Sequence, residues 1–377
     1  MSLSYRDPTS IFFRPTKAFA PGYSRTRQVQ ARTYVQNASP SAQSARSATD
    51  HRLCVGIVSV QRPELYLDIA IGSLLEGLAE DERNDIYLIA FIANTDPHDH
   101  ISYQSPWLHD LVDRVLTYDD IPSERKAELA KLEREDIEHR VKPLLDYIHL
   151  LQTCAATGAE HVLMLEDDVI AAANWFHQTN TTLQSLEQHR DFDRTLYLCL
   201  FYTSHLLGWN SEHWLIYAIT SSAAALTSFA LLWLLYRCHG FTSKVLTPNM
   251  IRIIVLVHVP AFILLYFAAG RLTVAPLRRG LRPMDEFGCC SQALVFPSRA
   301  IPDLVNFYQG EGIGFVDVLT ESFAESLGLR RWALVPSVFQ HIGGKSSKGD
   351  DYESSRWNRS VAANIWNFDF ELFDVVN

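Results

Sequence analysis

Apolar and polar positions along this chain follow two patterns, one of short buried runs and helical periodicities and one of long uninterrupted apolar stretches. The first begins at Leu53. Leu53–Val60, Ile86–Ala93, Val112–Tyr118, Val162–Leu165 and Thr195–Tyr202 are short runs of apolar and β-branched residues bounded by polar or turn residues, as strands buried on both faces require. Between them Tyr66–Leu78 repeats apolar residues at helical spacing (Leu67, Ile71, Leu74, Leu75, Leu78), Ser123–Thr157 reads as a long helix or helix pair breaking near Pro143, and Ala171–Leu186 reads as another helix. Farther on, Gly288–Phe296 and Ala333–Phe339 are strand-like, and Ile301–Tyr308 and Phe315–Leu329 helical. Helices alternating with buried strands predict an α/β domain with a Rossmann-like nucleotide-binding sheet.

The second pattern interrupts the first. Trp214–Tyr236 is 23 residues without a charge, and Ile253–Gly270 is 18 more, joined by the polar connector Arg237–Arg252. A helix rising 1.5 Å per residue over such lengths can cross a hydrocarbon core of about 30 Å. The pattern predicts a transmembrane hairpin inserted in the domain, with both flanks on one side of the bilayer and Tyr217, Trp233, Tyr236 and Tyr266 near its interfaces. A pair of buried core helices is the competing reading.

Composition changes this picture only at the margins. A net charge of −10 gives no support for nucleic acid as a partner. Residues 1–50 read as a disordered tail, because Ser, Ala, Gln, Arg and Thr dominate from Tyr23 to Asp50 without apolar periodicity; no signal peptide is readable in it, and Ile11-Phe12-Phe13 is too short to span a bilayer. Six scattered cysteines do not make a disulfide framework, although Cys289-Cys290 could supply one bridge. Arg271, Arg278, Arg279 and Arg282 either flank the membrane or clamp phosphates. The divisions expected are a tail to residue 50, a first catalytic part 51–212, the hairpin 213–270, a second part 271–345 and a C-terminal segment 346–377.

Chemistry concentrates at one corner, where the Val162–Leu165 run ends in Glu166-Asp167-Asp168. Acids just past the carboxyl end of a buried strand lie where open α/β sheets bind ligands. Carboxylates gathered there repel one another unless joined by a cation, and hard oxygen donors suit Mg²⁺ or Mn²⁺. A merely solvated acidic loop corner would look the same in isolation.

With Lys142-Pro-Leu-Leu-Asp146-Tyr147 upstream and Val335-Pro336-Ser337-Val-Phe-Gln340-His341-Ile-Gly343 near the end, this corner resembles the metal site of GT-A glycosyltransferases of the N-acetylglucosaminyltransferase IV group. The inserted hairpin is similar to that of the Golgi enzymes within the group that add N-acetylgalactosamine to GPI anchors. The resemblance, over about residues 53–350, implies a GT-A fold split by the hairpin, UDP-N-acetylgalactosamine (UDP-GalNAc) as donor, Mn²⁺ (or Mg²⁺) as cofactor and a mannose of the GPI glycan as acceptor. It also implies a multi-pass Golgi membrane protein with a lumenal catalytic domain. It assigns Asp168, Asp167 and His341 to the metal, Arg62, Asp96, Glu166 and Asp167 to the donor, and Asp317 as the base that takes the acceptor proton, with Glu311 in reserve. An enzyme acting on protein N-glycans and a non-catalytic glycolipid-binding protein are the other expectations.

Overall fold

The computed structural model describes residues 4–38, 51–136, 138–238, 246–285, 291–343 and 365–373. They fall into two compact units, one within Met1–Phe19 and Ser204–Leu277, the other within Ala20–Thr203 and Arg278–Asn377.

The larger unit carries the α/β pattern. In chain order its elements are α1 (Gly22–Gln36), β1 (Leu53–Ser59), α2 (Leu67–Leu75), β2 (Ile86–Ile92), β3 (Arg114–Leu116), α3 (Ser123–Glu135), α4 (Lys142–Ala155), β4 (His161–Glu166), β5 (Val169–Ala171), α5 (Trp175–Glu187) and β6 (Thr195–Cys199). After the excursion into the other unit come β7 (Gly280–Pro283), β8 (Ala293–Pro297), α6 (Ile301–Glu311), α7 (Val316–Leu327), β9 (Arg330–Val335) and β10 (Phe339–His341). Eight strands form one mixed sheet in the order β3-β2-β1-β4-β8-β6-β9-β7. The first four are parallel; β8 runs antiparallel between β4 and β6, and β7 closes the far edge against β9. The parallel strands β1, β2 and β4 are buried along almost their whole length, which is why they read as unbroken apolar runs.

Local chemistry sets the boundaries. The long helical stretch breaks before Pro143, where the Asp136 carboxylate accepts the backbone N–H groups of Arg140, Val141 and Lys142 at 3.2, 2.8 and 2.8 Å and Pro143 occupies the first turn of α4. A Cβ at Gly56 would meet Leu150 Cγ at 2.9 Å, so the glycine lets α4 lie close on β1. There Cys54 and Cys154 form a disulfide, a bridge that counting scattered cysteines did not suggest; Cys289 and Cys290 lie outside the described residues. Val169–Ala171 is a strand, and the helix expected from Ala171 starts at Trp175. The strand pairs antiparallel with β10 in a small separate sheet.

The expected tail is largely folded. Gly22–Gln36 is helical, and Arg27, 1% exposed, donates to the Ala171 carbonyl (3.0 Å) and the Ser73 carbonyl (2.9 Å) and pairs with Glu76. Glu371 accepts the backbone N–H groups of Tyr23 and Ser24 at 3.0 and 3.2 Å and caps the helix against its dipole. Its buried face, Tyr23, Arg27, Ala31 and Val35, has only three apolar members around a buried arginine, too thin a stripe to stand out as apolar periodicity; residues 39–50 lie outside the described residues.

The smaller unit holds the two apolar helices, Trp214–Cys238 and Pro248–Ala268. In their most apolar windows 0% and 6% of residues are buried, so these are not core helices of a soluble domain.

Gly72 of α2 faces the backbone of α1, and a Cβ there would come within 2.4 Å of the Ala31 carbonyl oxygen. Gly72→Val is therefore expected to destabilise the unit by about 1–3 kcal/mol, read as a lower melting temperature of the purified chain. An unchanged melting temperature would mean that the helix is not docked.

Candidate functional site

The acidic corner is assembled by two strand ends that are distant in sequence. Glu166 ends β4, and Asp167 and Asp168 turn the chain into β5. The pairing of β5 with β10 sets His341 opposite Val169, and the Ile342 N–H donates to the Asp168 carbonyl at 2.9 Å. His341 Nε2 consequently lies 3.2 Å from Asp168 Oδ2. Ligand atoms of Glu166, Asp168 and His341 all lie within 4.8 Å of one another. At Gly343 a Cβ would stand 2.2 Å from the same carboxylate oxygen, so this approach requires glycine.

Asp167 points elsewhere. Its carboxylate pairs with Arg62 and accepts from the Ser59 hydroxyl. Ser59 in turn accepts from His100 Nε2 at 2.9 Å, a tautomer fixed by the Ser102 N–H donating to His100 Nδ1 at 3.2 Å. Arg62 also donates to Asp168 at 3.1 Å. The geometry groups Glu166, expected at the donor, with Asp168 and His341, whereas Asp167, expected at both metal and donor, is held by Arg62. Arg62 itself is buried against carboxylates.

Charge at the corner is unbalanced, with three carboxylates facing one guanidinium and one imidazole. Burial pushes Asp167 up to about 7 against the pull of Arg62, and burial together with Asp168 raises Glu166. Burial also disfavours the charged form of Asp168, but His341 and Arg62 hold it well below the usual carboxylate range. His341 is raised despite its burial, because it faces Asp168. Asp168 Oδ1 is buried with no hydrogen-bond partner. Two carboxylates, one of them with an unpartnered buried oxygen, and one imidazole converge to form an N/O donor set that fits Mn²⁺ or Mg²⁺.

The corner opens on a cavity of about 710 Å³. Its walls include Asn94, Glu133, Lys142, Tyr147, Ser291 and Asp317. Asp317, in the first turn of α7, is half-buried and accepts the Val318 N–H at 2.8 Å. Two expected site residues are not on the lining. Glu311 is exposed at the end of α6, and exposed Asp96 accepts the His98 N–H at 3.0 Å as a turn cap. Their loops are close to the right place, since Asn94, two residues before Asp96, does line the cavity, with Glu133 accepting its amide at 3.3 Å. Nor do Arg278, Arg279 or Arg282 line it; the first two are exposed and the third lies on edge strand β7.

Sequence reading missed Ser59 and His100, which carry no motif and become visible only once β1 and β2 are aligned. It found Lys142-Pro-Leu-Leu-Asp146-Tyr147 without a role for it. Helical spacing puts Lys142 and Asp146 on one face, with Nζ 2.6 Å from Asp146 and 2.7 Å from the Ala93 carbonyl, and leaves the buried Tyr147 hydroxyl without a partner at the cavity wall.

The family model described as GPI-N-acetylgalactosamine transferase PGAP4 matches residues 53–340, more than three quarters of the chain. The chain is 29% identical over 146 residues to the alpha-1,6-mannosyl-glycoprotein 4-beta-N-acetylglucosaminyltransferase of Gallus gallus, covering 36% of this chain and 31% of that protein. It is also 29% identical over 150 residues to the alpha-1,3-mannosyl-glycoprotein 4-beta-N-acetylglucosaminyltransferase B of Danio rerio, covering 36% of this chain and 27% of the relative. The chain thus spans about a third or less of the length of these curated relatives.

Burial and Arg62 together lower His100 to about 4. A buried imidazole whose folded pKa lies below its unfolded value of about 6.5 contributes stability that is whole above that pH and is lost as pH falls towards 4. The melting temperature is expected to drop across this window, by the equivalent of up to about 3 kcal/mol for this group, and His100→Gln should flatten the drop. Identical acid profiles for the two proteins would show that His100 is not held neutral.

Proposed function

The chain belongs to the family of the GPI-N-acetylgalactosamine transferase PGAP4, and from that premise we propose that it transfers N-acetylgalactosamine from UDP-GalNAc to a mannose of the GPI glycan. The observation that carries this reading is the convergence of Glu166, Asp168 and His341 beside a cavity at the carboxyl ends of parallel strands, where α/β folds take nucleotides. In it Glu166, Asp168 and His341 hold Mn²⁺ or Mg²⁺, whose chemistry is to offset the negative charge of the UDP leaving group. Arg62, fixed by Asp167 and Asp168, keeps both carboxylates oriented, and the Ser59–His100 chain holds Asp167 from behind. Asn94 and Glu133 offer polar groups to the donor base, and the Tyr147 hydroxyl offers one to donor or acceptor.

Asp317 on the cavity wall supports a reading of transfer with inversion. Its carboxylate takes the proton of the acceptor hydroxyl as the new glycosidic bond forms and the bond from the sugar to UDP breaks. The two apolar helices cross a Golgi membrane as a hairpin and keep the lumenal catalytic unit (residues 51–212 with 271–345) near a lipid-anchored acceptor. The sequon at Asn180 lies within α5 with its Thr182 buried and so does not bear on that compartment, and the sequons at Asn37 and Asn358 extend outside the described residues. Transfer of N-acetylglucosamine, favoured by the names of the two curated relatives, is the second reading. Competition between the two UDP-sugars for the purified enzyme separates them.

Calorimetric titration with UDP-GalNAc is expected to show binding that requires Mn²⁺ and is weakened at least tenfold by Asp168→Asn. Metal-independent or absent binding would overturn the reading. Asp317→Asn should leave binding intact and lower kcat by about 10²–10⁴-fold; unchanged turnover would remove Asp317 from the mechanism.

A further inference from the structure

The segment Ser4–Phe19 belongs to the same compact unit as the two apolar helices, and its contacts there are specific. The Ala268 carbonyl, at the end of the second helix, accepts the Ile11 N–H at 3.0 Å and the Ser10 hydroxyl at 3.2 Å. Gly270 then turns the chain with φ +92°, and a Cβ there would sit 2.3 Å from Asp7 Oδ2. The Asp7 carboxylate, in a residue only 3% exposed, accepts the N–H groups of Thr9 and Thr273, both at 2.9 Å, and the Arg271 N–H donates to the Thr9 hydroxyl at 3.0 Å. Backbone groups at a helix end close to lipid must find partners inside the protein. Here this segment supplies them.

Aromatic residues mark the level at which this happens. Trp209 donates its indole N–H to the Phe267 carbonyl at 3.0 Å and packs on Tyr217, Tyr266 and Phe267, with ring centroids 5.3, 5.5 and 4.7 Å away. Trp233 and Tyr236 form a second aromatic group with Arg237 at the other end of the first helix. Tyr217 and Tyr236 are separated by about 28 Å of helix at 1.5 Å per residue, close to the thickness of a hydrocarbon core. Two such belts are what a bilayer's interfaces select. Ala268, and with it Ile11, lies at the first belt.

What the segment presents at that level is apolar and cationic. Ile11 is 73% exposed, with Phe12 and Phe19 at 41% and 39%. Arg6, Arg14 and Lys17 outnumber Asp7, and Lys17 lies 4.5 Å from the centre of the Tyr5 ring. We propose that Ser4–Phe19 is an interfacial anchor: clamped by Asp7 to the end of the second helix, it inserts Ile11 and Phe12 among the lipids at the level of the acyl–head-group boundary, with its cations towards the head groups. The occupant of this apolar face is therefore the bilayer itself, continuous with the surface of the hairpin. This rests on the reading that the two helices cross a membrane.

The test uses the full chain in phosphatidylcholine vesicles containing phosphatidylserine, with an NBD fluorophore attached at Ile11→Cys or, separately, at Leu226→Cys in the middle of the first helix, after replacement of the accessible native cysteines. Lipids carry a spin-label quencher either near the head group or near the acyl terminus. Ile11 is expected to be quenched more strongly from the head-group position and Leu226 more strongly from the acyl terminus, and Asp7→Ala should remove the quenching at Ile11 while leaving that at Leu226. If Leu226 is quenched as expected but Ile11 by neither lipid, the anchor is wrong and the hairpin stands; a blue-shifted yet unquenched Ile11 probe would assign this face to a protein contact and also overturn the proposal. If neither site is quenched, the hairpin reading fails and the anchor with it.

Discussion

Three carboxylates gathered at the end of one strand, two of them buried, are the constraint on which the catalytic unit is built. A carboxylate removed from water must be paired, hydrogen-bonded or protonated. Arg62 meets two of the three and His341 meets Asp168 from the other side, yet an oxygen of Asp168 stays without a partner and burial still raises Glu166 and Asp167. An arrangement this acid-heavy is easier to understand as half of a site than as a finished one. A divalent cation between Glu166, Asp168 and His341 would satisfy the missing partner and the excess charge together.

Much of the surrounding structure serves to hold that corner still. The short pair β5–β10 brings the end of the chain to Asp168, and β5 is itself gripped from behind, its Ala171 bonded through the carbonyl to Arg27 and through the N–H to Ser73. The last described residues complete the brace. Gln340 exchanges hydrogen bonds of 2.8 and 2.9 Å with the backbone of Asn367, and Glu371 caps α1. Residues 22–36 and 365–373, which look expendable in sequence, thus stand directly behind the acidic corner.

What was legible in the sequence was what hydrophobicity encodes. The buried strands β1, β2, β4, β6 and β8, the helices between them and both apolar helices were visible as runs or periodicities, and the acidic triplet with His341 was visible as chemistry. Polar packing was not. The helix α1 docks through a thin stripe, Tyr23, Ala31 and Val35, interrupted by buried Arg27, the Cys54–Cys154 bridge depends on β1 lying against α4, and edge strand β7 is the four residues Gly-Leu-Arg-Pro. The roles of Glu166 and Asp167 could not be ordered from adjacency alone, because which way each carboxylate turns at the end of β4 depends on Arg62, Ser59 and Ser291 from other loops.

The central claim is that this corner carries out sugar transfer to a GPI glycan, and it is tested most directly in cells. GPI glycans should be released and analysed by mass spectrometry from cells lacking this chain, from the same cells given it back, and from cells given the Asp168→Asn form. The account predicts a side-branch N-acetylhexosamine on the GPI mannose that disappears with the chain, returns with the unaltered protein and stays absent with Asp168→Asn. A branch that persists without the chain, or that Asp168→Asn restores in full, would contradict it.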